Sequence, residues 1–381
     1  MLFTDARRDK LKACIVIASV NILDNLKAFE SDLLKHECKV VAVDEGNSFV
    51  RSKNRKLLSN LQHEYYGPSE RAEWFKKRFG ASYEKLLSVI PERCHAETSF
   101  GFLVAYEEKP DMIVEIDDDV FPSAGHTLVN GHARNLQSND GKTVDCRGKW
   151  YNTMENLTLT RDVMVYPRGH PYGTRTDDAD SAWKNTGGKC VLNMGLWTGS
   201  PDLDALTILY NGGMNGKCNI EGTGCQKGKV IVGKGTYFPV CSMNTAFLRE
   251  IIPAFYQSYS NFMGIDRFDD IWSGVFIKKI ADHLGRRVSL GNPLADHRKR
   301  PRDTFKDLRK EFEGMVINER LWKLVDEIEL EGSTYWDAYN SLTQELEKRI
   351  SQAFPEPLYQ KFLKVQLQKM KLWLRIIDKL S

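Results

Sequence analysis

No apolar run in this sequence approaches the roughly 20 residues that a membrane-crossing helix needs, so an anchor of that kind is excluded. Charge of one sign is not in excess either. The 54 Lys and Arg against 51 Asp and Glu leave a net +3, too little to call for a nucleic-acid partner. The phosphate-loop pattern GxxxxGK[ST] is absent. The cysteines, at 14, 38, 94, 146, 190, 218, 225 and 241, show no strong zinc spacing. Without a secretory signal they read as reduced thiols of a cytoplasmic protein, although Cys218 and Cys225 share one loop and remain candidates for zinc binding or pairing. Residues 13–20, ACIVIASV, follow several basic residues in the manner of a signal peptide. The stretch is short, has no convincing cleavage site and runs on into foldable sequence, so it reads as a first strand. Internal repeats and low-complexity tracts are also missing.

What the chain does have is concentrated at residues 112–122, MIVEIDDDVFP. Apolar residues run into Asp117, Asp118 and Asp119, then into an aromatic and a proline. That is the pattern of a buried strand ending in a knot of negative charge. Adjacent carboxylates repel one another and are costly to desolvate without a counter-charge. A hard divalent cation relieves the repulsion: Mg²⁺ or Mn²⁺ takes one or two carboxylates together with the phosphates of a bound substrate. On strand alternation Asp117 and Asp119 share a side and Asp118 takes the other. Asp117 and Asp119 are therefore the candidate metal pair, and Asp118 a sugar contact or a support behind the metal. The bland alternative is a solvated acidic turn. The strand in front weighs against it, because loops at the carboxyl ends of strands carry the sites of α/β proteins.

The length, 381 residues, allows one large domain with an appendage, or two domains. Residues 13–20, 21–37 and 39–43 read as strand, helix and strand, a βαβ unit that implies a parallel sheet. Asp44, at the end of the second strand, is placed to hold a nucleoside's base or ribose, or is a plain turn former. Residues 51–93 are charged and helical in pattern. Arg93 and His95 precede a helix at 98–108 and are candidate diphosphate contacts or ordinary surface charge. Residues 123–152 have weak periodicity and are expected to be irregular. The loop PRGHPYGTR (167–175) carries Arg168 and Arg175 between prolines. Two guanidinium forks on a constrained loop suit a diphosphate; two solvated arginines are the alternative.

The glycine-rich stretch 211–235 reads as a flexible insertion. Asn244 and Thr245 are candidate caps for a helix over 247–254. Asp269 and Asp270 precede a helix at 271–284. They either complement its N-terminus, or one of them contacts an acceptor or serves as general base. His297 follows a late strand and suits a third metal ligand through neutral imidazole; taken alone it also fits an ordinary surface residue. From about 303 onward the chain is helical. Tyr359, Phe362, Leu363, Leu367, Met370, Trp373, Leu374 and Ile377 follow the helical repeat, with lysines interleaved. That pattern suits packing onto the catalytic domain or a second subunit, or contact with a membrane surface.

Five segments, in one order, resemble the reversibly glycosylated polypeptides, also called UDP-arabinopyranose mutases, a branch of the GT-A glycosyltransferases. They are FGFLVAYEEKPDMIVEIDDDVF (100–121), PRGHPYGTR (167–175), GLWTGSPDLDA (195–205), FPVCSMNTAFLRE (238–250) and RFDDIWSGVFIKKIADHLG (267–285). The resemblance runs from about residue 13 to 315. It implies an α/β fold of the GT-A (Rossmann-like) type with a mixed central sheet. The catalytic domain would span 1–302, with the glycine-rich insertion at about 208–235, and a C-terminal helical region would follow at 303–381. It also implies a UDP-sugar site with a divalent metal, Mn or Mg, on the Asp117–Asp119 cluster, and His297 in the place of the late metal-binding histidine. Arg168 matches the arginine that these proteins glycosylate on themselves, and Arg175 the second arginine of that loop. Asp269 and Asp270 fall where GT-A enzymes carry acceptor-side carboxylates. The stretch 211–235 and the chain beyond about 320 lie outside the resemblance.

The activity implied is a metal-dependent glycosyltransferase acting on a UDP-sugar, or a pyranose/furanose mutase. A non-catalytic nucleotide-sugar-binding subunit is a third reading. The acceptor, whether glycan, lipid-linked or protein, stays open. A cytoplasmic homo-oligomer is expected, with peripheral membrane contact through the C-terminal helix as an addition. In either reaction negative charge develops on the leaving diphosphate oxygen. Arg168 is a poor nucleophile while its guanidinium stays protonated. To accept sugar it needs a carboxylate to polarise it, and the sequence does not identify that carboxylate.

Overall fold

The computed structural model describes residues 11–175 and 181–381. The first half alternates strand and helix: β1 (Lys12–Ser19), α1 (Asp24–Leu33), β2 (Glu37–Asp44), α2 (Ser48–Leu57), β3 (Gln62–Tyr66), α3 (Pro68–Phe79), α4 (Tyr83–Leu87), α5 (Thr98–Glu108) and β4 (Met112–Ile116). β1 pairs in parallel with β2 and with β4, and β2 in parallel with β3. Parallel strands of this kind are covered on both faces, which is why β1 reads as a continuous apolar run. Its residues divide accordingly. Cys14 and Val16 join the core under α5, and Ala13, Ile15 and Ile17 join the core under α1. Helix α5 lies close on the strand: a Cβ at Gly101 would stand 2.4 Å from a methyl of Val16.

The second half is mixed: β5 (Val120–Pro122), α6 (Leu128–Gln137), β6 (Lys142–Cys146), β7 (Leu157–Leu159), β8 (Ser181–Lys184), β9 (Leu192–Gly199), α7 (Ala205–Tyr210), β10 (Gly222–Cys225), β11 (Val230–Val232), β12 (Asn244–Phe247), α8 (Asp269–His283) and β13 (Val288–His297). Three helices close the chain, α9 (Thr304–Glu327), α10 (Tyr335–Ala353) and α11 (Pro357–Leu380). Among the described residues the strands form one sheet in the order β3-β2-β1-β4-β12-β9-β13-β11-β6-β8. The expected α/β fold with a mixed central sheet and a C-terminal helical extension is what the chain forms. The sheet changes character at β4, which pairs in parallel with β1 and antiparallel with β12. Such a discontinuity leaves a crevice beyond the strand ends, and the acidic triplet sits at it.

Three local expectations are corrected. Residues 123–152 are not irregular, since they hold α6 and β6. The helix escapes notice because Asn130, Gly131 and Asn135 are poor helix formers. Gly131 is required by packing, as a Cβ there would stand 2.7 Å from the ring of Pro293. The glycine-rich 211–235 stretch is not a loose insertion: β11 lies inside the sheet, antiparallel to β13 and parallel to β6. Asn244 and Thr245 belong to a strand, β12, and not to a helix cap; only a 3₁₀ turn, Arg249–Ala254, follows.

The final helices share the core of the sheet. The apolar stripe read from the sequence of α11 is buried along its whole length, and Trp373 donates to the carbonyl of Ile252 at 3.2 Å. Burying each large side chain of that stripe stabilises by about 1.5–3 kcal/mol. The face that would lie on a membrane is therefore already used within the chain.

A buried polar knot ties α6 to β9 and β12. His132 Nε2–H donates to Asn244 Oδ1 at 2.9 Å, and the Asn193 amide donates to His132 Nδ1 at 3.0 Å. Protonation would turn Nδ1 into a donor facing another donor. Burial also disfavours the charge and lowers the pKa from 6.5 to about 4, the bond to Asn244 opposing only in part. Because the folded value lies below the unfolded one, this contribution to stability is present above pH 6.5 and is lost as the pH falls towards 4. The loss amounts to about 3 kcal/mol. Urea unfolding at pH 7.5 and 4.5 should show His132→Gln to have a shallower pH dependence than the parent chain by about that amount. Equal dependence in both proteins would contradict the assignment.

Candidate active site

Strand ends assemble the site. Ser19 closes β1, Asp117 to Asp119 form the turn from β4 to β5, and His297 is the last residue of β13. The antiparallel register of β13 on β5 pairs His297 with Val120, so the histidine arrives beside the triplet. Together with His95, Arg168, Asp202, Arg267, Asp269, Asp270 and Lys299 these residues line a cleft of about 420 Å³. A larger groove of about 1120 Å³ lies elsewhere, lined by Arg134, Trp183 and Asn292 among others, and it contains none of the acidic cluster.

The three aspartates do not act as one group. Because they sit in a turn, strand alternation does not govern them, and each has its own partner. Asp118 accepts from the Ser19 hydroxyl, from the Asn21 amide at 2.9 Å and from Arg300 Nε at 3.3 Å. Burial still raises its pKa, the bonds to Ser19 and Asn21 offsetting only part of the cost. Asp119 faces His297 Nε2 at 3.7 Å and accepts from the Arg300 backbone N–H at 3.4 Å. Burial opposes its ionisation too, but the bond to His297 and that residue's charge, helped by Arg302, hold its pKa below the ordinary value. Asp117 turns the other way, to His95 Nε2 at 3.2 Å.

His95 is the hub of that wall. Its Nδ1 meets Asp269 at 2.9 Å, and its Nε2 lies 3.1 Å from the Ser242 hydroxyl and 3.4 Å from Glu115. Burial works against the imidazolium, but the charges of Asp117 and Asp269 outweigh it and raise the His95 pKa well above the usual value. Behind it, burial pushes the Glu115 carboxyl up to about 8, the charge of His95 opposing.

The opposite wall answers what the sequence left open about Arg168. Its guanidinium is buried between two carboxylates. Nε donates to Asp202 at 3.1 Å, and the terminal nitrogens reach Asp270 at 3.0 and 3.2 Å, Asp202 at 3.0 Å and the carbonyl of Arg267. Desolvation is overcome by those charges, and the Arg168 pKa is raised well above its usual value. Burial likewise opposes ionisation of Asp202, but Arg168 brings its pKa down to about 2. The loop is fixed from outside: the Asn318 amide of α9 donates to the carbonyl of Gly169 at 2.9 Å. Gly169 has φ +87, and a Cβ there would stand 2.5 Å from Ile271, so only glycine brings Arg168 onto the start of α8. Helix α9 also supplies Glu311, which accepts from Arg267 Nε at 2.6 Å and from the Ala205 backbone N–H at 2.7 Å.

Two of the expected site residues are not brought to the cleft. Asp44 is fully buried. It accepts from the Gly46 N–H at 2.7 Å, the Asn54 amide at 2.7 Å and the Tyr65 hydroxyl at 2.7 Å, so its lone pairs serve the turn after β2. Arg175 donates to Asp204 at 2.9 Å and stacks 3.5 Å over the ring of Tyr172. The loop therefore offers one arginine to the cleft, Arg168. Arg93 does line the cleft, with its backbone N–H held by Glu45. Asp269 and Asp270 are the first residues of α8 and face the cleft as carboxylates already partnered, by His95 and Arg168. The sequence reading missed Ser19, Asn21, Asp202 and Lys299 as site residues. Ser19 and Asn21 had a usable signal in their position at the end of the first strand and just beyond it. Lys299 is buried, and burial followed by the charge of Arg267 pushes its ammonium down to about 8.

Among the described residues no group of three or more His, Cys, Asp or Glu side chains is gathered closely enough to hold a metal ion by itself. The pair Asp119 and His297 nonetheless fits one. The His297 Nδ1–H donates to the carbonyl of Ser200 at 2.6 Å, which turns Nε2 towards Asp119; metal-binding histidines are oriented in this way. Mg²⁺ and Mn²⁺ sites commonly take only one or two protein ligands and complete their shell with phosphate and water.

The model of a family described as "Reversibly glycosylated polypeptide" matches residues 76–380. UDP-arabinopyranose mutase 1 of Arabidopsis thaliana is 30% identical over 368 residues, covering 94% of this chain and 91% of its own length. UDP-arabinopyranose mutase 2 of the same plant is 29% identical over 368 residues, with 94% and 90% covered. A probable UDP-arabinopyranose mutase 1 of Solanum tuberosum is 29% identical over 350 residues, with 90% and 85% covered. Of the solved structures, mouse xyloside xylosyltransferase 1 in its apo form aligns at 12% identity over 37% of this chain and 54% of its own, with a TM-score of 0.21, a likeness too slight to bear on the site. The family match runs through the helices beyond residue 320, which the motif resemblance had left out.

Replacing Arg168 by Met strands Asp202 and Asp270 in a buried setting. Equilibrium urea unfolding should show a loss of about 3–5 kcal/mol. A loss below about 1 kcal/mol, the scale of an exposed ion pair, would show that the web carries no such load.

Proposed function

The chain belongs to the reversibly glycosylated polypeptide family, and from that premise we propose that its acidic cleft binds a UDP-sugar and interconverts the pyranose and furanose forms of the sugar. The observation that carries this reading is the meeting of two unlike groups of side chains in one cleft. Asp118, Asp119, His297 and Arg300 suit a nucleoside diphosphate. His95, Asp269 and Asp270, which line the same cleft, suit a sugar whose hydroxyls must exchange a proton.

Ser19 at the end of β1 and Asn21 just beyond it, with Asp118 of the β4–β5 turn bonded to both, hold the nucleoside side. Asp119 and His297 would hold a divalent cation against the diphosphate. That cation would stabilise the charge that appears on the leaving oxygen. As the bond between the anomeric carbon and that oxygen breaks, its electron pair goes to the diphosphate and positive charge builds on the sugar. On this reading Asp269 and Asp270 stabilise it. The hydroxyl that closes the new ring loses its proton as it bonds to the anomeric carbon. The old bond from that carbon to the ring oxygen breaks with its electron pair staying on that oxygen, and that oxygen takes up a proton to become a hydroxyl. His95, bridging Asp117, Asp269 and the Ser242 hydroxyl, is the group suited to move it. Return of the diphosphate oxygen to the anomeric carbon completes an isomerisation with no net gain or loss of atoms.

Transfer of the sugar to an acceptor uses the same first step, and the acceptor then takes the place of the second hydroxyl. Uptake of sugar by Arg168 itself is a narrower version. Every nitrogen of its guanidinium is engaged by Asp202, Asp270 or the Arg267 carbonyl, so this route requires the web to open first.

Incubation with Mn²⁺ and a panel of UDP-sugars, followed by chromatography of the recovered nucleotide-sugar, tests the proposal. A UDP-pentose should emerge in both ring forms, and Asp119→Asn should slow the conversion on the order of 100-fold or more. Release of free UDP with a glycosylated product would favour transfer instead. An unchanged rate in Asp119→Asn would remove the basis of the reading.

A further inference from the structure

Lysine is almost never buried without a partner. The buried lysines of this chain allow a direct comparison. Lys278 donates to the carbonyl of Gly233 at 2.9 Å and to Asp282 at 2.5 Å. Lys229 donates to the carbonyls of Ser138 and Gly188, each at 2.8 Å. Lys299 is 5% exposed, and its Nζ has no hydrogen-bond partner among the described residues. It is also the one of the three that lines the acidic cleft. Nearby carboxylates are already taken: Asp202 by Arg168 at 3.0 Å, and Glu311 by Arg267 at 2.6 Å. Arg302, another cation, lines the same stretch of wall. Arg302 has Asp307 beside it at 3.9 Å, so the N–H donors of this corner left without an internal acceptor are those of Lys299.

We propose that Lys299 anchors the distal phosphate of a nucleoside diphosphate and so makes the cleft distinguish a diphosphate from a monophosphate. The inference rests on the reading of the cleft as a nucleotide-sugar site and names the contact that would select the diphosphate. Position decides which phosphate is held. Ser19, Asn21 and Asp118 mark the nucleoside end. His297 and Lys299 lie two residues apart on the segment leaving β13, and Arg168 with Asp202 and Asp270 bounds the sugar end. Lys299 falls between the two, where the phosphate nearest the sugar must lie. A compact ammonium suits this task because it binds phosphate as a point charge without imposing a planar fork.

Isothermal titration of the full chain with UDP and with UMP, in buffer containing Mn²⁺, tests the assignment in the parent protein, Lys299→Met and Lys299→Arg. Lys299→Met should bind UDP at least tenfold more weakly while its UMP affinity stays within about twofold. Lys299→Arg, which keeps a cation, should recover most of the UDP affinity. Without ligand, Lys299→Met should unfold at the same or a higher temperature, because it exchanges an unpaired buried charge for an apolar chain of similar length. Unchanged UDP binding by Lys299→Met, equal losses for UDP and UMP, or a lowered unfolding temperature would each overturn the proposal. A parent chain that binds neither nucleotide would overturn the nucleotide-sugar reading and this inference with it.

Discussion

Carboxylates crowded at the rim of a sheet must each be neutralised, and the active cleft is the arrangement that does so. Asp117, Asp118, Asp119, Asp202, Asp269 and Asp270 all line one cleft, and most of them are buried. Like charges at that density cannot all ionise unless each has its own counter-group. The fold supplies these from distant parts of the chain: His95 from the segment before α5, Arg168 from the loop ahead of β8, His297 from the end of β13, and Arg300 just beyond it. Removing the buried Arg168 would leave Asp202 and Asp270 desolvated without that counter-charge, which costs several kcal/mol, whereas Asp118 keeps Ser19 and Asn21 even without the half-exposed Arg300. The scaffold around the cleft, from the Gly169 turn to the Asn318 and Glu311 side chains of α9, serves mainly to hold those counter-groups in place.

This arrangement also separates tasks. The carboxylates satisfied by cations within the protein, Asp202 and Asp270, form a rigid wall. Asp119 is held only by a histidine and a backbone N–H, so it keeps capacity for a further ligand. Lys299 is the converse case, a cation left over once the internal pairs are made. Spare acceptor capacity on Asp119 and a free ammonium on Lys299, both lining one cleft in a protein of only +3 overall, are what the proposed binding of a diphosphate with its counter-cation would use.

Much of this was legible from sequence, for identifiable reasons. Apolar strands, the DDD triplet and the helical stripe of α11 are local patterns, and local patterns survive without coordinates. The matched motif segments pointed to Arg168, Asp269, Asp270 and His297, and the fold brings all four to one cleft. Pairing was not legible, because it depends on register between strands far apart in the chain. Asp202 as the partner of Arg168 and the solitary state of Lys299 follow from such long-range contacts. Asp44 and Arg175 show the reverse error: each is a charged residue at a loop or strand end, and each is consumed by neighbours that only the fold brings near. The alternation argument for Asp117 and Asp119 failed because the strand stops at Ile116, one residue before the triplet. Helix α6 was hidden because Gly131 serves its contact with Pro293 and not its helical propensity.

The central claim is that Asp119 and His297 together with the neighbouring cations Lys299 and Arg300 form one diphosphate site. The most direct measurement is crystallographic, with crystals of the full chain grown or soaked with Mn²⁺ and UDP and data collected at the manganese absorption edge. The account predicts an anomalous peak within coordination distance of an Asp119 oxygen and His297 Nε2, with diphosphate density bridging from it towards Lys299 and Arg300. A peak and nucleotide lodged in the broad groove lined by Arg134 and Trp183, or a cleft that stays empty while the nucleotide binds elsewhere, would contradict it.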